Sequence, residues 1–231
     1  VTRQLPLALT QREVRGRAAL FVSPANALAV AAVDGWRDWP EGKAVLCGPP
    51  GSGKSHLGHV WAEEAGAATV AARDLAGADL RALAGSGAVL VEDADRIGGD
   101  AAAETALFHL HNMLGAARAP LLVTAALPPR DWRLRLPDLE TRMQAAPLIR
   151  LDPPDDALLS ATLVKLLADR QLHAAPGVID WLMQRMPRSL QAARTIVAAL
   201  DARSLADRRP VTVALARAVL DTLAEDAAGR A

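Results

Sequence analysis

The sequence is short of several things, and each shortage removes a class of protein. Its single cysteine, Cys47, allows no internal disulfide and points to a reducing, cytoplasmic setting, with the thiol expected on a buried strand. Neither charge is in excess. With 26 basic residues against 26 acidic ones, no broad cationic surface is available, so any DNA contact is expected to be indirect or non-specific. No stretch approaches the roughly 18 apolar residues that a membrane helix needs. Residues 18–33 (AALFVSPANALAVAAV) follow several arginines as a signal peptide might, but Pro24 and Asn26 interrupt the run, and export is rejected.

Aromatic residues make up only 3% of the chain. The five tryptophans, Trp36, Trp39, Trp61, Trp132 and Trp181, are scattered and are expected to pack the core and the domain boundary rather than stack bases. The histidines show no metal-ligand spacing: His109 and His111 diverge on one helix, and His56 and His59 share another with Trp61. No nucleophile sits beside a paired base. Lysine is also scarce, since Lys43, Lys54 and Lys165 leave arginine at the other 23 basic positions. A chain that uses arginine almost everywhere keeps lysine at Lys54, where a slim point charge has to reach between phosphates.

What is present is ample apolar material, 51% of 231 residues, enough for a real core. Short apolar runs at 44–48, 68–72, 88–92, 120–125 and 147–151 read as five buried strands. Helical patterns at 53–65, 75–84 and 102–117 lie between them, which predicts an α/β fold with a five-stranded parallel sheet and helices on both faces. After Asp152-Pro153-Pro154 the pattern is helical alone, at 156–171, 177–186, 189–204 and 213–223, with Thr212 a plausible cap for the last. The expected division is an amino-terminal stub at 1–20, a nucleotide-binding α/β domain at 21–152 and a small helical lid at 153–231.

Gly48, Pro49, Pro50, Gly51, Ser52, Gly53, Lys54 and Ser55 spell G-x-x-x-x-G-K-S directly after a strand and before a helix, a strong signal for a phosphate-binding loop. The glycines let successive backbone N–H groups point inward, and the helix start adds its positive dipole end. Lys54 is expected on the outer phosphates and the Ser55 hydroxyl on Mg²⁺. At the end of AVLVEDAD, Glu92 and Asp93 leave a buried strand at its carboxyl edge, where parallel sheets hold ligands. One carboxylate, Glu92, is expected toward the metal and the other, Asp93, toward a water. ATPases with this arrangement usually carry Asp before Glu, and the reversed order displaces both groups, which predicts weak intrinsic hydrolysis. An alternative register makes Asp93 the metal residue and places Ala94 where the base should be.

Together the loop, the acidic pair and the trailing helices resemble the AAA+ ATPases of the DnaA-type initiator clade, over most of the chain. The resemblance implies adenine contacts from Phe21, Val22 and Asn26 in FVSPANALAVAAV, and a first sensor strand in LLVTA with Thr124, although Ala125-Ala126 replaces the polar pair usual there. DLETRM at 138–143 is similar to the clade's arginine-finger box, making Arg142 a finger acting in trans, and RSLQAA at 188–193 is similar to its second sensor, making Arg188 a nucleotide contact.

The chain ends just past the helices without a helix-turn-helix domain, so origin-specific DNA binding is not expected. Its stub carries QLPLAL, where Gln4, Leu5, Leu7 and Leu9 resemble a sliding-clamp-binding motif: a rim hydrogen bond from Gln4 and leucines for an apolar pocket, in an extended segment. The implied protein is similar to the regulatory inactivators of DnaA. It would hold ADP or ATP with Mg²⁺, partner DnaA and the DNA-loaded clamp, promote hydrolysis of DnaA-bound ATP and repress re-initiation. Homo-oligomers are compatible with this. The alternatives are an autonomous P-loop ATPase, such as a helicase loader or remodelling motor, and a truncated DnaA core.

Overall fold

The structure is a computed structural model that describes residues 20–207 and 209–228. Five strands form one wholly parallel sheet: β1 Lys43–Cys47, β2 Ala68–Ala71, β3 Val89–Glu92, β4 Leu121–Ala125 and β5 Leu148–Arg150. Their order is β2-β3-β4-β1-β5, with Val45 in register with Val123 on one side and Leu148 on the other. The five-stranded parallel sheet expected from the apolar runs is therefore present, each strand within a residue or two of its run. Parallel pairing follows from the helices between successive strands, which return the chain to the same edge each time.

Both faces of the sheet are covered, which is why its strands read as continuous apolar runs rather than alternating ones. On one face Val45, Val89, Val91, Leu121 and Val123 pack with Leu107, Leu110 and Leu114 of α4 (Ala101–Ala116) and with Leu139 and Met143 of α5 (Pro137–Ala145). On the other, Ala44, Leu46, Leu90 and Leu122 meet α1 (Ala27–Asp34) and Leu57 and Trp61 of α2 (Lys54–Ala65). Trp36, Trp39 and Trp61 gather there, Trp39 stacked on Trp61 at 5.7 Å and Trp36 edge-on at 6.3 Å. Three of the tryptophans that looked scattered are thus one cluster, because the turn at 35–42 folds back over α2.

The pattern at 75–84 resolves into a 3-10 segment at Ala72–Gly77 and a separate helix α3 (Leu80–Gly85). The break comes from Asp79, whose carboxylate caps the backbone N–H groups of Arg81 and Ala82 and so starts a new helix. Asp100 caps α4 in the same way through Ala102 and Ala103, each such cap contributing about 1 kcal/mol. Beyond Pro154 come α6 (Asp156–Asp169), α7 (Val178–Met183), α8 (Leu190–Asp207) and α9 (Val213–Ala228), built around their own core of Leu159, Leu163, Leu182, Val197 and Leu200. Thr212 caps α9 through the N–H of Leu215 at 3.3 Å. Among the described residues no helix is long and apolar enough to cross a membrane.

Candidate nucleotide-binding site

The carboxyl ends of β1, β3 and β4 lie side by side, and the chain leaves each of them into a candidate element of the site. From β1 it enters the glycine-rich loop and then α2. Gly48 admits no side chain, because a Cβ there would lie 2.3 Å from the carbonyl oxygen of Leu151. Gly51 and Gly53 adopt φ of 77° and 107°, the left-handed region that glycine alone enters without cost. Lys54 is the first residue of α2 and is buried. Its ammonium donates to the carbonyl oxygens of Gly48 at 2.6 Å and Pro49 at 3.0 Å, so the loop is closed on its own lysine. Burial lowers the pKa of Lys54, against the opposing pull of Asp93 and Asp95.

A phosphate fits this cradle. The hydroxyl of Ser52 is buried without a protein partner, and a buried hydroxyl of that kind needs an acceptor or donor from elsewhere. The start of the 12-residue α2 supplies unpaired N–H groups and the positive end of its dipole.

Glu92, the last residue of β3, is half-buried and turns toward α2. Its Oε2 lies 3.2 Å from Nε2 of His59, and the hydrogen bond from His59 is the main cause holding its carboxyl below the usual range, with a hydrogen bond from Ser55 assisting and burial opposing. Ser55 and His59 are one helical turn apart on α2, so both face the same carboxylate. A hydroxyl and a carboxylate together suit a hard cation such as Mg²⁺, which needs only one or two protein oxygens when phosphate and water complete its shell. Among the described residues, no cluster of three or more His, Cys, Asp or Glu could hold a metal by itself.

Asp93 is placed differently. It adopts a left-handed backbone, φ 57°, its N–H donates to Oγ1 of Thr124 at 3.2 Å, and its carboxylate lies 3.6 Å from Arg96. Thr124 on β4 is therefore engaged in fixing the turn after β3. Asp95 anchors the next strand end by accepting the N–H of Ala126 at 3.1 Å.

Arg142 lies on α5, exposed, its guanidinium 5.3 Å over the ring of Phe108 on α4. Arg188 pairs with Asp156, the first residue of α6, both largely exposed. Its neighbours touch the phosphate loop directly. Leu190 donates its N–H to the carbonyl of Gly51 at 2.8 Å, and a Cβ on Gly51 would meet Oγ of Ser189. Phe21 and Val22 are exposed, 45% and 49%, while Asn26 is buried with both ends of its amide engaged: Oδ1 accepts from Ser23 N–H and Nδ2 donates to Phe21 O. Asn26 shapes that turn. The turn is tied to the helical region by Asp155, which accepts the N–H groups of Ala25 and Leu158. Gln4, Leu5, Leu7 and Leu9 lie outside the described residues.

His59, Asp155 and Leu190 carried no signal as isolated residues. For His59 a usable cue was its spacing of four from Ser55 on the loop helix, which forces both onto one face.

A parallel sheet with this strand order, a G-x-x-x-x-G-K-S loop at the end of β1 and a helical lid touching that loop define a P-loop protein of AAA+ architecture. The lid matches the family described as "Hda, lid domain" over residues 156–220. Among solved structures the chain is similar to domain III of the replication initiation protein DnaA from Thermotoga maritima, at 17% identity and TM-score 0.76, covering 90% of this chain and 96% of that one. It is also similar to AMPPCP-bound DnaA from Aquifex aeolicus, at 17% identity and TM-score 0.67, covering 80% of this chain and 64% of that one. The Thermotoga maritima RuvB Holliday junction branch migration motor matches at 17% identity and TM-score 0.61, with 78% of this chain and 61% of that one covered. The helical lid is thus similar to the Hda lid family, and the chain as a whole shares the fold of DnaA domain III.

Proposed function

We propose that this chain is a regulatory AAA+ nucleotide-binding protein whose output is hydrolysis of ATP bound to DnaA, promoted together with the DNA-loaded sliding clamp. The observation that carries this reading is the contrast between Arg142 and the protein's own acidic pair. Arg142 stands exposed on α5, held by the ring of Phe108, a tether of only about 0.5–1 kcal/mol that a partner's phosphates would displace. Glu92 is engaged by His59, and Asp93 turns to Arg96. A guanidinium offered to another subunit stabilises charge on a transferring phosphoryl group, whereas an acidic pair whose second member, Asp93, is drawn to Arg96 turns over its own nucleotide poorly.

In this reading residues 21–152 bind ADP or ATP through Gly48, Gly51, Ser52, Gly53 and Lys54, with Phe21 and Val22 beside the base. A bound Mg²⁺, held by Ser55 and Glu92, would supply charge neutralisation at the phosphates. The lid from residue 153 onward responds through Arg188 and Leu190. Gln4, Leu5, Leu7 and Leu9 engage the clamp, and repression of re-initiation follows from DnaA left in its ADP form. Support comes from the match of the lid to that of Hda and from the AMPPCP-bound state of a structural relative.

The test is hydrolysis of DnaA-bound ATP with clamp and DNA present, adding this protein or its Arg142→Ala variant. The parent is expected to accelerate hydrolysis by about 10³-fold, the lower range for a finger in trans, and the variant to lose that acceleration. A parent that leaves the rate unchanged would defeat the proposal. Loss of clamp binding on Gln4→Ala tests the tether. The rival reading, an autonomous loader or motor, draws on the Ser55–Glu92 pairing beside the loop; robust ATP turnover by this chain without DnaA would favour it.

A further inference from the structure

Glu104 is the most deeply buried carboxylate among the described residues, 1% exposed, and nothing in the nucleotide site uses it. It sits one turn into α4, after the Asp100 cap. Its two oxygens accept three backbone N–H groups: Oε1 takes Gly99 at 2.7 Å, and Oε2 takes Arg135 at 2.9 Å and Leu136 at 2.8 Å. Among the described residues Glu104 forms no ion pair, and a buried carboxylate of that kind is tolerated because charge-assisted hydrogen bonds replace its water.

Those donors are not scattered. Leu136 is the residue that starts α5, and it has no side-chain oxygen to cap the helix, while Pro137 follows at the first helical position. The carboxylate of Glu104 therefore fixes the backbone at the point from which α5 departs, and Arg142 rides on α5 about one and a half turns later. The same side of α4 contributes again, because Phe108 is four residues after Glu104 and its ring lies under the Arg142 guanidinium at 5.3 Å. One helix thus holds both the root of α5 and the side chain of Arg142.

We infer that Glu104 is a positioning residue for Arg142: its buried carboxylate sets the origin of α5 so that the guanidinium is presented at a fixed place on the surface. This rests on the reading of Arg142 as a finger acting in trans. A misplacement of about 1 Å at a catalytic group can lower a rate by about 10²-fold. None of the hydrogen bonds of Glu104 reaches the nucleotide loop, which would be unaffected.

The experiment compares the parent, Glu104→Gln, Glu104→Ala, Arg142→Ala and the Glu104→Ala/Arg142→Ala pair in stimulated hydrolysis of DnaA-bound ATP. Hydrogen exchange at the Arg135 and Leu136 amides is measured on this protein alone. Glu104→Ala is expected to lower the maximal stimulation by roughly tenfold to a hundredfold at an unchanged half-saturating concentration. Nucleotide affinity should stay at the parent value and report an intact fold. Glu104→Gln, whose amide oxygen still accepts from Arg135 and Leu136, should recover most of the stimulation. In the Arg142→Ala background the second substitution should add nothing, because residues that act through one another are not additive. Parent-level stimulation by Glu104→Ala, or losses that multiply in the pair, would overturn the inference. So would unchanged exchange at the two amides, a result that leaves the Arg142 reading standing. If the parent fails to stimulate at all, the reading itself falls and the inference with it, whatever the amides show.

Discussion

The N–H of Leu190, at the start of the long lid helix α8, donates to the carbonyl oxygen of Gly51 at 2.8 Å. The lid thus meets the phosphate loop main chain to main chain, and the Leu190 side chain comes within 3.0 Å of where a Cβ on Gly53 would stand. A ligand that shifts the loop would therefore strain or break this contact with α8. Any coupling of ligand and lid through it is reciprocal by thermodynamic necessity.

Gly51→Ala tests the contact. The residue sits at φ 77°, and its new methyl group would overlap the hydroxyl of Ser189. The left-handed conformation alone costs about 1–2 kcal/mol for an L-residue. We expect a lower melting temperature together with nucleotide affinity weakened by about tenfold or more, since about 1.4 kcal/mol is tenfold in affinity. Thermal unfolding with and without nucleotide, followed by calorimetric titration, measures both.

Lys54→Ala removes the ammonium that bridges Gly48 and Pro49 in the closed loop. Titration with a fluorescent adenine nucleotide should show binding weakened by about 10²-fold, the scale of a charge-assisted contact to phosphate of roughly 3 kcal/mol. Unaltered affinity would remove the loop from the site.

Arg188→Ala separates stability from ligand response. The Arg188–Asp156 pair is exposed on both sides, so its loss should change unfolding free energy by less than about 1 kcal/mol. Nucleotide affinity should nevertheless fall in the proposed reading, because Arg188 is next in the chain to Ser189, which meets the loop. Equal affinity in the two proteins would restrict Arg188 to a surface ion pair.

If residue order limits hydrolysis as proposed, exchanging the acids, Glu92→Asp with Asp93→Glu, should raise the chain's own ATP turnover by at least about tenfold, short of the roughly 10²-fold or more that a fully aligned general base contributes. A shorter carboxylate then meets Ser55 and a longer one leaves the Arg96 contact. Steady-state phosphate release reports the change, and an unmoved rate would show that residue order is not what limits hydrolysis.

Stability should fall in mild acid through His111. Its ring is only 4% exposed, Nδ1 has no partner, and burial, with Lys43 and Arg142 adding, lowers its pKa from 6.5 to about 4. The unfolded ring takes up its proton near pH 6.5 while the folded ring resists until about pH 4, so the unfolded state gains protons first. Stability is therefore complete above pH 6.5 and lost as pH falls toward 4, by about 3 kcal/mol at most. His111→Leu should flatten this part of a urea-unfolding profile taken between pH 7 and 4.

The sequence by itself determined whatever is contiguous along the chain. The phosphate loop is eight consecutive residues between a strand and a helix, so its geometry is local. The strands announced themselves because a parallel sheet covered on both faces needs unbroken apolar runs. The helix start capped by Thr212 was equally local. Tertiary structure alone decided how distant groups share out their partners. Glu92 and Asp93 are adjacent, yet one turns to His59 on α2 and the other to Arg96, because the backbone goes left-handed at Asp93. Asp155 reaches Ala25 across 130 positions, and Glu104 reaches Leu136 across 32. No spacing rule encodes such pairs: each depends on where packed helices bring a single carboxylate, and a buried carboxylate stays where unpaired N–H groups can satisfy it.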